Sequence, residues 1–279
     1  MKIGCSTVVF REYPLEKTLE EIRKIGYEYI ETQGTNPWCN HVVVGKDDPV
    51  KFAEKVKSFG FMGVTSFWTP EGAVIAGGDD CVKTIARSIE WAAAAGIPVV
   101  NCGDGHKHQD MTDEYAFALL ADRLLALIET AEKNKIKLAI EPHGTFSLTG
   151  AGLGRIMDIS GSCHFGINYD CANIHRSGYV ETRGSVSKWV NAKTDENEDE
   201  VGVLKKVIGR VVHFHAKDLD KNRNCTALGH GEVSVGECIG VLKQYGYDGA
   251  VSLETEGGMP LDETVGLARD SYDFLRSMF

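Results

Sequence analysis

The chain has 279 residues, 43% of them hydrophobic and 25% charged, with a formal net charge of −10. That composition excludes a disordered chain, and the acidic balance excludes wholesale binding to a phosphate backbone, which draws on Lys and Arg surfaces. No apolar run reaches the ~20 residues of a membrane helix; the longest, WAAAAGIPVVNCG, is broken by Gly96 and Pro98.

The opening MKIGCSTVVFRE lacks the apolar core and small-residue cleavage pattern of a secretory signal. Eight cysteines, at 5, 39, 81, 102, 163, 171, 225 and 238, form no Cys-x-x-Cys pair. They read as buried free thiols, and the expected location is the cytoplasm.

Short β-branched runs alternate with longer amphipathic ones from end to end. KIGCSTV precedes LEKTLEEIRKIG, where Leu15, Leu19, Ile22 and Ile25 recur at helical spacing and Gly26 closes the helix. YEYIETQG precedes DPVKFAEKVKSFG, with Pro49 suited to its first turn. FMGVTSFW then leads into CVKTIARSIEWAAAAG, PVVNCG into EYAFALLADRLLALIETAEKN, and KLAIEPH into a shorter helical piece, GLGRIMDIS. FGINYD is followed by a long polar connection and EVGVLKKVIG, VVHFHAKD by SVGECIGVLKQYG, and AVSLETE by LDETVGLARDSYDFLRSM. Eight alternating units predict a parallel sheet closed as a (β/α)8 TIM barrel. An open doubly wound sheet is the alternative, but no Gly-x-Gly-x-x-Gly follows the first strand. No linker divides the chain, so residues 1–279 are expected to form a single domain. The acidic run at 194–200 reads as a solvated approach to a helix N-terminus.

In such a barrel the functional residues stand at the C-terminal strand ends. Strand five ends in Glu141, followed by His143; strand six ends in Asp170, with Asn173 and His175 beyond; strand seven carries His215 and Lys217; strand eight ends in Glu254. Three carboxylates and an imidazole on one rim make a mixed oxygen and nitrogen donor set, suited to Mn2+, Mg2+, Co2+ or Zn2+. Each residue alone is equally an ion-paired group at a barrel mouth; their coincidence on four successive strands favours the metal. In RVVHFHAKDLD, His213, His215 and Lys217 share one face of the strand and Val212, Phe214 and Ala216 the other. His213 lies one layer deeper than His215 and is expected to orient a ligand and not to be one. His143 and His175, on loops, contact substrate or solvent. Trp68 with Phe67, and Trp38 and Phe10, are either platforms for a sugar ring or barrel core.

The runs GYEYIETQG, AIEPHG, NYDCAN, VVHFHAKDLD and ALGHGEVSVGECIGVLKQYGYDGAVSLETE resemble, in order, the strand-end signatures of the xylose-isomerase-like TIM-barrel superfamily of sugar isomerases and epimerases. The resemblance covers nearly the whole chain. It implies one divalent ion, Mn2+ first among the candidates, on Glu141, Asp170, His215 and Glu254, with Glu141 and Glu254 also moving substrate protons. It further implies a small sugar or keto-polyol substrate, substrate contacts from His143, Asn173, His175, Lys217 and Trp68, and a homo-oligomer. Ketose 3-epimerases of this family usually place a His where Asn173 stands, and the Lys217-Asp218 pair looks more like the inosose dehydratase branch. Epimerisation, isomerisation and dehydration therefore all stay open. A DNA-repair endonuclease of the same superfamily is a rival that would need more metal ligands and a basic groove. A noncatalytic sugar-binding module is another.

Overall fold

Alternation along each strand decides which side chains enter a barrel, and pairing register decides how deep they sit. The computed structural model describes residues 1–176, 178–183, 186–191 and 198–279, the two six-residue pieces by backbone alone. Its barrel strands are β1 (Lys2–Ser6), β2 (Tyr29–Gln33), β3 (Gly63–Ala73), β4 (Val99–Gly105), β5 (Lys137–Gly144), β6 (Phe165–Asp170), β7 (Val211–Ala216) and β8 (Ala250–Leu253). They close in the order β1-β8-β7-β6-β5-β4-β3-β2, and every neighbouring pair is parallel. The helices are α1 (Leu15–Ile25), α2 (Pro49–Ser58), α3 (Gly78–Ala94), α4 (Asp113–Asn134), α5 (Gly150–Met157), α6 (Cys171–Arg176), α7 (Glu200–Val207), α8 (Val235–Tyr245) and α9 (Leu261–Met278). This is the (β/α)8 barrel that the alternating runs predict. Among the described residues no helix is long and apolar enough to cross a membrane.

Local chemistry sets the helix ends. Asp48 accepts from the Val50 and Lys51 amides and caps α2 ahead of Pro49. Gly26 ends α1 at φ +124°, a conformation that L side chains rarely adopt. Residues 194–197 of the acidic run lie outside the described residues. Asp199, in the same run, caps α7 by accepting from the Gly202 amide at 2.6 Å.

The apolar core lies between strands and helices. Phe214 stacks on Tyr169 at 5.9 Å, on the outer side of the face that carries His213 and His215. Phe10 and Phe67 belong to this layer: they are 1% and 0% exposed, and Phe67 packs on Trp91 at 5.2 Å. The sugar-platform reading of these two rings is therefore withdrawn. The polar connection after β6 also holds more structure than expected. It contains α6 and an antiparallel hairpin, Gly178–Arg183 against Val186–Asn191.

Inside the barrel the fill is polar. Register sets Asp170 beside His215 and His215 beside Ser252, so these three share one layer. On the other side Gly103 faces Glu141. Glu254, two residues beyond Ser252, stands one layer nearer the mouth.

Asp218 explains why the chemical strand ends in a carboxylate. Fully buried, it accepts from the amides of Leu219 (2.9 Å), Gly229 (2.9 Å), Gly231 (2.9 Å) and Val233 (3.0 Å), and so ties the loop after β7 into place. A Cβ on Gly231 would lie 2.2 Å from Asp218 Oδ1, so the clamp closes only over glycine. Charge-assisted hydrogen bonds are each worth ~1.5–3 kcal/mol, and their loss is partly relieved by water entering the opened loop. Asp218→Ala is expected to lower Tm by roughly 10 °C, at 2–4 °C per kcal/mol, with Asp218→Asn between it and the parent. A Tm within 2 °C of the parent for Asp218→Ala would remove the clamp from this account.

Candidate metal centre

The inward face of β7 brings His215 between two carboxylate groups. Its Nε2 lies 3.0 and 2.9 Å from the two oxygens of Glu31, and its Nδ1 lies 3.2 Å from Glu141 Oε2 and 3.8 Å from Asp170 Oδ2. Ligand atoms of Glu141, Asp170 and His215 all fall within 4.8 Å of one another. Lys217, one layer nearer the mouth and 3% exposed, sets its ammonium 2.9 Å from Asp170 Oδ2, 3.3 Å from Glu256 Oε1 and in close contact with Glu254 Oε2.

Burial and charge pull these groups in opposite directions. Burial alone would raise Asp170, but the Lys217 ammonium, His215 and Arg176 outweigh it and hold the carboxyl well below its usual range. Burial raises Glu141 despite His215 and Lys217, with Asp170 adding to the rise. Burial pushes Glu254 up to about 7 against the opposing pull of Lys217.

Two buried oxygens, Asp170 Oδ2 and Glu254 Oε2, make no hydrogen bond. Both are ion-paired with the Lys217 ammonium, and Asp170 Oδ2 also lies 3.8 Å from His215 Nδ1. Carboxylate oxygens held by a single ammonium, beside Glu141 and an imidazole nitrogen, are a donor set that fits a hard or borderline dication. Glu141, Asp170 and His215 are the residues that would hold it, and Glu254 would join them once Lys217 moved from between the carboxylates.

A second layer fixes the first. Asn168 donates from Nδ2 to Glu141 Oε2 at 2.9 Å and accepts from His213 Nδ1 at 2.9 Å. Asn173 donates to Glu141 Oε1 at 3.1 Å, and Arg176 Nη2 donates to Asn173 Oδ1 at 2.5 Å and to Glu256 Oε1 at 3.1 Å. His213 is pushed down to about 4 by burial, and its Nε2 is ringed by the hydroxyls of Thr65, Ser66 and Ser252 at 3.2–3.3 Å. It therefore sits as a neutral ring beneath the site, acting on Glu141 through Asn168.

Above these groups opens a cavity of about 670 Å³, lined by Glu141, His143, Asn173, Lys217 and Glu254 among others. Trp38 and Trp68 form part of its wall, and Trp68 meets His143 edge-on at 5.6 Å. Burial, with Lys217 and Arg176 adding, lowers His143 to about 4, so it faces the cavity as a neutral ring.

His175 is not in this set and is withdrawn from the expected substrate contacts. It lies in α6, where two residues are ~200° apart around the axis, so Asn173 facing the cavity turns His175 away. Arg176, three residues from Asn173, shares its face. His175 Nδ1 instead meets Glu200 Oε2 at 3.1 Å. Glu256, two residues beyond Glu254 at the end of strand eight, follows from the strand-end reading, whereas Glu31, Asn168 and Arg176 do not.

Residues 19–278 match the family described as xylose isomerase-like TIM barrel, and the chain belongs to that family. It is 24% identical over 247 residues to an inosose isomerase of Halalkalibacterium halodurans, across 86% of this chain and 82% of that one. Among solved structures it resembles a D-allulose 3-epimerase from Methylomonas sp. with a TM-score of 0.76 at 15% identity, covering 100% of this chain and 98% of the other. It also resembles an IOLI protein with a binding zinc atom, with a TM-score of 0.75 at 17% identity, covering 100% and 99%. At such identities the structural likeness speaks for the fold.

The displaced His175 yields a pH test. Its hydrogen bond to Glu200 raises its pKa above 6.5, while Glu200, despite burial, is lowered to about 2 by His175 and the Ser234 amide. A raised histidine stabilises fully below the unfolded value of 6.5 and loses that contribution as pH climbs through the folded value. The Glu200 contribution is present above 4.5 and is lost only as pH falls toward 2. His175→Ala should therefore cost about 1 kcal/mol near pH 6, and the Tm gap to the parent should narrow by pH 9. A gap constant across that range would contradict the pairing.

Proposed function

We propose that the chain is a divalent-metal-dependent sugar isomerase or epimerase that acts on a ketose or keto-polyol by proton transfer next to a carbonyl. The observation that carries this reading is the convergence of Glu141, Asp170 and His215, with Glu141 and Glu254 on the wall of the tryptophan-lined cavity. Glu141, Asp170, His215 and Glu254 would hold a divalent ion, which would supply electrostatic stabilisation for the negative charge that develops on the carbonyl oxygen as the neighbouring proton leaves. Mn2+ is the first candidate, with Mg2+, Co2+ and Zn2+ the alternatives.

The chain's own groups do the rest. Glu141 and Glu254 stand on β5 and β8, separated around the ring by β6 and β7, so they reach a bound substrate from two sides. One takes the proton and the other returns it, to the opposite face of the same carbon in epimerisation or to the neighbouring carbon in isomerisation. Asn173, His143 and Lys217 bind hydroxyls, and Trp68 lies along the apolar face of the ring and excludes water.

One observation favours a second reading. The Lys217 ammonium, on the cavity wall in contact with Glu254, is a cation that would stabilise a departing β-hydroxyl in a dehydratase acting on a cyclic keto-inositol. Candidate ketoses and keto-inositols incubated in D2O with the Mn2+-loaded protein separate the three reactions, because deuterium marks the exchanging carbon and dehydration loses water. Chelation should abolish turnover. Glu141→Gln and Glu254→Gln, measured at saturating Mn2+, should each lower kcat by ~10²-fold or more, with one of them still exchanging the substrate proton if the reaction is an epimerisation. Near-native turnover by both variants would make these glutamates ligands only and move the base to His143 or Lys217.

A further inference from the structure

We propose that Glu31 is a positioning residue for His215: it accepts the hydrogen bond of the imidazole Nε2–H and so leaves the Nδ1 lone pair free for the ion. The proposal rests on the metal reading of the site, but not on which sugar reaction follows.

The side chain of Glu31 is wholly buried on β2, beneath the cavity and not on its wall, and a buried carboxylate is expensive unless compensated. Its imidazole neighbours are His215, with Nε2 at 2.9 and 3.0 Å, and His213, with Nε2 at 3.6 Å. His213 cannot serve as the partner. An ionised carboxylate accepts but never donates, so Asn168 must turn its amide group to Glu141 and its oxygen to His213 Nδ1, at 2.9 Å each. That fixes the His213 proton on Nδ1 and leaves Nε2 as an acceptor for the surrounding hydroxyls. The Ser66 hydroxyl also donates to Glu31, but among the imidazoles only His215 Nε2 is left to satisfy it, and it must carry a proton to do so. The remaining nitrogen, Nδ1, faces Glu141 and Asp170.

The same residues could be taken for a second ion site, since ligand atoms of Glu31, His213 and His215 also lie within 4.8 Å of one another. Two observations oppose it. The His213 nitrogens already have partners on both sides, and none of Glu31, His213 and His215 lines the cavity, whereas the Glu141, Asp170 and His215 group opens to it through Glu141. A carboxylate behind a histidine ligand holds the ring orientation and raises its basicity. Glu31 is placed for that role.

The test uses Zn2+ and Co2+ as probes on the full chain. In the Zn2+-saturated parent, labelled with 15N-histidine, His215 should show a protonated Nε2 and a metal-shifted Nδ1, a measurement that needs no variant to fold. Glu31→Ala should weaken Zn2+ binding ~10–100-fold and alter the visible spectrum of the Co2+ form. Glu31→Gln keeps an accepting oxygen and should recover much of the affinity and the parent spectrum, a rescue that general loss of packing would not give. Binding through Nε2, or equal affinity and identical Co2+ spectra for all three proteins, would overturn the assignment while leaving the metal reading intact. A parent chain that takes up neither ion would overturn both.

Discussion

Everything at the mouth of this barrel depends on charge compensation in a water-poor space. Glu31, Glu141, Asp170 and Glu254 are each 8% exposed or less, and Glu256 lies beside them. Two like charges 4 Å apart repel by about 4 kcal/mol at the effective dielectric that describes such sites. The protein offsets this with Lys217 among Asp170, Glu254 and Glu256, with His215 between Glu31 and Glu141, and with Arg176 on Glu256. Even so, two carboxylate oxygens lack a hydrogen bond. A dication at that point would supply the charge that these two oxygens share with one ammonium.

The scaffold around the site follows from that need. Because the inward face of the strands is polar, the apolar core moves outward to the layer between strands and helices, where Phe67, Trp91, Tyr169 and Phe214 pack. Rigidity inside then comes from hydrogen bonds: Asn168 joins Glu141 to His213, Asn173 joins Glu141 to Arg176, and Asp218 holds the loop after β7. Side chains locked in this way hold Glu141 and its neighbours in fixed positions, the preorganisation that the proposed chemistry would need.

Much of this was legible in the sequence, for identifiable reasons. The change of period between strand and helix repeats eight times, which leaves few topologies, and the C-terminal strand ends of a barrel are a strong filter on candidate residues. Glu141, Asp170, His215, Lys217 and Glu254 passed it and meet in space. Glu31 did not stand out, because one carboxylate in a five-residue strand looks the same whether it faces solvent or a histidine. Asn168 carries no charge and shows its value only through two partners far away in sequence. His175 was misplaced because a polar connection hid a six-residue helix, and helical geometry sets positions 173 and 175 on opposite sides. Phe10 and Phe67 were ambiguous since rings at strand ends suit both core and cavity, and only burial separates them.

The central claim is that the Glu141, Asp170, His215 and Glu254 cluster is a metal centre built on the Nδ1 side of His215. Anomalous diffraction at the manganese edge from Mn2+-loaded crystals tests it most directly. The account predicts a single strong peak bonded to His215 Nδ1 and to oxygens of Glu141, Asp170 and Glu254, with Lys217 displaced from between the carboxylates. No peak at this cluster, or a peak on the Nε2 side between Glu31 and His213, would contradict it.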